Sequence, residues 1–147
     1  MKPCRKRWTA PERNSERRVP DAVIDASALV DMLVGTERGA AVASTVTRYS
    51  ALHAPAHLDA EVLSALGRLH RAGFIGTRHV TARLEQLVDA PIERHALAAL
   101  VLRAWQRRDR MRLMDALYVE LARSLSVDLV TTDTRLAAAA GVAPIVS

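Results

Sequence analysis

Two rhythms of apolar side chains alternate along the chain. Short runs of small and β-branched residues read as strands, and longer stretches with apolar positions three and four apart read as helices. Residues 22–24 (AVI) are the first strand-like run and stop at Asp25. Residues 28–34 are expected to be helical, with Gly35 as terminator, and 38–49 a second helix. Residues 52–54 are a weak strand stopped by Pro55. Residues 57–71 form a clear amphipathic helix, in which Leu58, Val62, Leu66 and Leu69 share one face. Helices are also expected over 77–88, 96–106, 114–125 and 134–140, with short strands over 91–93, 128–131 and 142–146. Strands alternating with helices imply a parallel sheet covered on both faces, a three-layer α/β/α domain.

Length and charge refine this outline. The chain has 147 residues, enough for one domain with a real core. Of its 21 basic and 16 acidic side chains, seven basic and two acidic ones lie in residues 1–20. The net charge of +5 therefore belongs to that segment, and the rest is neutral. Residues 1–20 are expected to be a disordered basic extension, and 21–147 the folded domain. The extension is followed by no apolar signal-peptide core, and no apolar stretch is long enough for a membrane span. Cys4 is the only cysteine, so no disulfide can form within the chain, which suits a reducing cytoplasm. The aromatics are Trp8, Tyr49, Phe74, Trp105 and Tyr118, too few for a base-stacking sheet.

Four acids fall where chemistry is expected. Asp25 ends the first strand, and Asp133 ends the 128–131 strand; open α/β sheets place their sites at these carboxyl ends. From Asp115 a helix to Leu125 rises about 15 Å. The extended return from Val127 to Asp133 covers roughly 20 Å, so Asp115 and Asp133 should share one edge. Glu61 lies about one turn into a helix entered from that same edge. Singly, each acid has an ordinary role: Asp115 as a first-turn acid, Asp133 as a helix cap, Glu61 as an early-helix acid, Asp25 as a turn residue. Together they would repel one another unless a divalent cation joined them. An oxygen-only set selects a hard ion, Mg²⁺ or Mn²⁺. The absence of a cysteine from the folded part, and of an evident histidine pair, argues against zinc. Such an ion suits phosphodiester hydrolysis by an activated water.

Four segments carry a family resemblance: Val23–Leu29 (VIDASAL), Asp59–Leu66 (DAEVLSAL), Met114–Ala122 (MDALYVELA) and Leu129–Leu136 (LVTTDTRL). In order and spacing they resemble PIN domains, including VapC-type toxins, over residues 22–146. The resemblance implies a PIN-like domain with a short, mainly parallel central sheet. It implies that Asp25, Glu61, Asp115 and Asp133 surround the metal, with Ser27 and Thr132 holding water or a carboxylate through their hydroxyls. It further implies endonucleolytic cleavage of RNA, a small VapB-like antitoxin whose tail covers the groove, and a homodimer. The basic extension is outside the resemblance.

Other side chains and functions bear on the reading. Arg103, Arg107, Arg108, Arg110 and Arg112 cluster before the third segment; they are either RNA phosphate contacts, Arg112 foremost, or a solvated helix end. Arg68, seven positions after Glu61, is a second candidate for phosphate or an ordinary ion pair. The five histidines are read as surface or core residues, and Tyr118 as helix packing. Leu29, Val30 and Leu33 are either core or the lining of a partner groove. Residues 21–147 contain no lysine, and Ser27 stands where an aspartyl phosphatase needs a second acid, which excludes that class and P-loop enzymes. A flap-type DNA nuclease shares the chemistry but needs a longer chain and more acids. The remaining alternative is a PIN-like module that binds RNA or antitoxin without turnover.

Overall fold

Three apolar residues, Ala22–Ile24, form strand β1 and are fully buried. A strand buried on both faces has no reason to alternate, and this one does not. The structure, a computed structural model, describes residues 19–145. The extension expected over residues 1–20 thus lies almost wholly outside the described residues. The other elements are α1 (Ala26–Val34), α2 (Glu37–Val46), β2 (Leu52–Pro55), α3 (Leu58–Arg71), α4 (Thr77–Asp89), β3 (Ile92–His95), α5 (Val101–Trp105), α6 (Leu113–Leu125), β4 (Asp128–Val130) and α7 (Thr134–Ala140).

The four strands make one parallel sheet in the order β3-β2-β1-β4. Helix α1 packs against α2, α3 and α4, while α6 packs on β1, β2 and β4 and against α5. Tyr118, Ile24, Leu29, Leu58, Leu66 and Leu136 are among the largest fully buried side chains. The chain steps from β1 to β2 and β3 on one side, then returns to place β4 on the other side of β1. The strand order therefore reverses beside β1, and the carboxyl end of β1 lies at the switch point.

Three expectations are corrected. Residues 142–145 are irregular rather than a strand, because Ile145 makes one ladder-like bond, from its N–H to the Thr131 carbonyl at 2.8 Å. The helix expected over 96–106 is a 3₁₀ turn (Leu97–Ala99) followed by α5. The break at Leu100 lets that side chain and Ala104 both reach the core. Helix α2 ends at Val46 rather than 49, where Thr45 and Thr47 turn their hydroxyls back onto the carbonyls of Ala41 and Ser44.

Candidate active site

Each of the four acids sits at a helix N-terminus. Asp25 caps α1, its Oδ1 accepting from the Ala28 N–H at 2.9 Å. Asp133 caps α7, its Oδ1 accepting from the N–H groups of Arg135 (2.8 Å) and Leu136 (3.1 Å). Glu61 and Asp115 lie in the first turns of α3 and α6. Helices α1, α3 and α7 start at the carboxyl edge because each follows a strand. Helix α6 starts there because it runs antiparallel to the strand it feeds. The positive ends of four helices thus face one place, which partly offsets the mutual repulsion of the acids.

That place is a cleft of about 370 Å³. It is lined by Asp25, Ser27, Asp31, Glu61, Asp115 and Asp133, with Arg38 and Arg68 at its side and Tyr118 at its wall. Asp25 is 3% exposed. Ser27 Oγ donates to its two oxygens at 2.9 and 2.8 Å, and Thr131 Oγ1 donates to Oδ2 at 2.7 Å. Burial nevertheless pushes the Asp25 carboxyl up to about 6, against those hydrogen bonds and with a further push from Asp133. Burial also raises Asp115, and the charges of Asp133 and Glu61 add to that. Two neighbouring acids held above their ordinary range, in a set of hard oxygen donors, are what a divalent cation would correct.

Glu61 is aimed by two neighbours. The Tyr118 hydroxyl donates to Oε2 at 2.5 Å. Burial and the Glu61 charge hold that phenol far above its ordinary pKa, so it stays a donor. His57 Nε2 lies 3.1 Å from the Met114 carbonyl and 3.5 Å from Glu61 Oε2. A carbonyl can only accept, so Nε2 carries a proton. The ring leans on Tyr118 at 4.8 Å between centroids.

A carboxylate cleft at the switch point of a four-stranded parallel sheet matches the order of the four motifs. The PIN domain family profile matches residues 22–142. The chain belongs to the PIN domain family. It is 55% identical over 118 residues to ribonuclease VapC3 of Mycobacterium tuberculosis, covering 80% of this chain and 85% of that one. To ribonuclease VapC12 of the same organism it is 37% identical over 119 residues, covering 81% and 92%. The solved structure of M. tuberculosis VapC20, described as a sarcin–ricin-loop-cleaving toxin, superposes with a TM-score of 0.62 at 17% identity, covering 80% and 94%. At that identity the likeness speaks for the fold alone. The resemblance read from the four motifs and the α/β/α architecture are both borne out.

Within this PIN domain, the cleft gathers Asp25, Glu61, Asp115, Asp133, Ser27 and Arg68. Thr132 stands behind the cleft wall: its Oγ1 donates to Asp31 Oδ2 at 2.7 Å and to Ser27 Oγ at 3.2 Å, both cleft residues, while the bond to Asp25 comes from Thr131. The parallel register explains this, since Ile24 pairs with Val130 and the next residues, Asp25 and Thr131, meet. Counting that register along the sequence would have added Thr131. Asp31 was also missed. It lies four positions after Ser27 on α1, accepts from Thr36 Oγ1 at 2.9 Å, and has Arg38 Nε at 3.6 Å. Tyr118 does more than pack a helix, as its bond to Glu61 shows.

The arginine cluster divides. Arg107 is spent on a pair with the buried Glu120, and Arg108 stacks on the Trp105 ring at 4.8 Å. Arg110, Arg112 and Arg135 stand beside Asp115 and Asp133 in an adjoining groove. Arg68 bonds Ser64 Oγ at 3.0 Å and borders the cleft. Of the three apolar residues named for core or groove, Leu29 is core, while Leu33 and Leu29 also border a shallow surface hollow with α4.

Proposed function

We propose that the chain is a metal-dependent endoribonuclease toxin that hydrolyses RNA phosphodiester bonds. The observation that carries the reading is the cleft itself: four acids from four separate helix starts converge at the sheet's switch point in a chain 55% identical to a ribonuclease. Mg²⁺ or Mn²⁺ fits the all-oxygen donor set, with Asp25, Glu61, Asp115 and Asp133 as the residues that would hold it. When bound, such an ion supplies charge neutralisation at the phosphate and an acidified water as nucleophile.

The protein's own groups do the rest. Ser27 and Thr131 fix the plane of the Asp25 carboxylate, and Tyr118 fixes Glu61. Arg68 and Arg112 flank the acids and are the proposed RNA phosphate contacts, with Arg38 beside them. The proposed products carry 5′-phosphate and 3′-hydroxyl ends.

A cognate VapB-like antitoxin is the proposed regulator, its tail lying along this cleft, and a homodimer is the proposed assembly. Helix α5 leaves Val101, Leu102 and Trp105 exposed, which supports a protein-covered surface. We assign residues 21–147 to the nuclease domain, 1–20 to a basic extension, and the cytoplasm as the compartment. Among the described residues no helix is long and apolar enough to cross a membrane.

The test is cleavage of a mixed RNA pool by antitoxin-free protein with Mg²⁺ or Mn²⁺, then with EDTA, beside Asp25→Asn. Cleavage that requires both the ion and Asp25 is expected. Full activity in Asp25→Asn would overturn the site. Bound metal without cleavage or growth arrest would turn the reading to a binding module.

A further inference from the structure

Away from the cleft, strands β2 and β3 bring together side chains that sequence spacing kept 40 residues apart. His53 pairs in register with Glu93, and Pro55 with His95. Successive strand residues point to opposite faces. Glu93 and His95 therefore share the face of His53, and Arg94 points the other way, to Asp59 at 3.0 Å. The absence of an evident histidine pair, expected from the sequence, is thus corrected: His53 Nδ1 and His95 Nε2 are 3.0 Å apart. Glu93 Oε2 lies 3.4 Å from His53 Nδ1, and Glu93 Oε1 lies 3.7 Å from His95 Nε2. None of the three lines the carboxylate cleft.

These separations have a specific meaning. Zinc holds nitrogen and carboxylate oxygen at about 2.0–2.2 Å, so two ligands at the tetrahedral angle lie about 3.4 Å apart. The two histidine nitrogens at 3.0 Å, and the nearer Glu93 oxygen to each of them at 3.4 and 3.7 Å, bracket that value. The nitrogens are also addressed correctly. Asp21 Oδ2 lies 3.2 Å from His53 Nε2, and a carboxylate can only accept, so Nε2 carries the proton. In the tautomer with that proton on Nε2, the Nδ1 lone pair faces the cluster. A carboxylate behind a ligating histidine is the usual means of fixing tautomer and ring orientation. The His53 side chain is 9% exposed, that of His95 24% and that of Glu93 66%, so the cluster is buried on its inner side and open to ion entry past Glu93.

We propose that His53 Nδ1, His95 Nε2 and the Glu93 carboxylate form a second metal site, for Zn²⁺, with Asp21 orienting His53 and the fourth position left to water. The ion would clamp edge strand β3 to β2. Without it, in that tautomer, His53 Nδ1 accepts from His95, whose proton is then on Nε2. Binding moves that proton to His95 Nδ1 by exchange with solvent and leaves His53 as it was. No redox partner is needed.

Two measurements on full-length protein test this. Histidine ¹⁵N spectra of the wild type with and without one equivalent of Zn²⁺ should show liganded nitrogens at His53 Nδ1 and His95 Nε2, and a switch of His95 from the Nε2–H to the Nδ1–H tautomer. The visible absorption of bound Co²⁺ should survive in Asp115→Asn, which weakens the carboxylate cleft, and in Cys4→Ser. It should be lost in His95→Asn and weakened in Glu93→Gln, while Asp21→Asn should reduce Zn²⁺ affinity about 10–100-fold. Histidine signals unmoved by Zn²⁺, or Co²⁺ bands that vanish with Asp115→Asn and persist in His95→Asn, would overturn the proposal. Because the histidine spectra use the wild type, misfolding of a variant cannot hide that result.

Discussion

Replacing Asp25 by asparagine should stabilise the metal-free protein at neutral pH while abolishing its chemistry. The Asp25 carboxyl is raised from its ordinary 3.8 to about 6, burial being the main cause. A raised carboxyl binds its proton more tightly in the folded state. The penalty for ionising it is absent below about pH 4, grows as pH rises through 4 to 6, and is complete above that. Its size is about 3 kcal/mol. Asparagine caps a helix as well as aspartate does, so the bond from the Ala28 N–H survives. The amide must instead donate toward Ser27 and Thr131, whose hydroxyls now donate to Asp25, and Thr131 Oγ1 already accepts from the Asp133 N–H at 3.0 Å. That mismatch costs about 1 kcal/mol. The net expectation is a gain of about 2 kcal/mol at pH 7.5, shrinking to nothing or reversing by pH 4.5. Urea denaturation of both proteins in EDTA across that range measures it. Saturating Mn²⁺ should reverse the order, because an ion at 100 times its Kd stabilises the wild type by about 2.7 kcal/mol. A variant less stable than wild type at pH 7.5 in EDTA, or a difference that ignores pH, would refute the account of Asp25 as a strained acid.

Tyr118→Phe removes the hydroxyl that holds Glu61 and should cost about 1.5–3 kcal/mol of stability by denaturation. Its RNA cleavage rate should fall about tenfold, a loss of about 1.4 kcal/mol, with product ends unchanged. Glu120→Ala leaves Arg107 as an uncompensated, mostly buried charge and should destabilise by about 3 kcal/mol, while folded protein keeps its cleavage rate. Gly39→Ala tests the contact of α2 with α1. A Cβ there would lie 2.0 Å from the Asp31 carbonyl oxygen, so α2 must move, costing about 1–3 kcal/mol and loosening the Thr36 bond to Asp31, read together by denaturation and cleavage rate.

The sequence by itself determined most of the elements and the shared edge of the four acids. Strands buried on both faces are short apolar runs, and α3 and α6 carry apolar side chains at helical spacing, so local pattern and burial agree. Helix rise and strand rise were enough to bring Asp115 back beside Asp133. What the tertiary structure decided is whatever depends on which strands are neighbours. Register between β1 and β4 gave Asp25 to Thr131 and left Thr132 to Asp31 and Ser27. Register between β2 and β3 made a pair of His53 and His95, which are 42 positions apart. The contact of α3 with α6 gave Tyr118 a carboxylate partner, and the packing of α5 against α6 hid Arg107 against Glu120. Periodicity reports which way a side chain faces along its own element. It carries no information on the partner that stands opposite, because strand order is set by how the whole set of helices covers both faces of the sheet.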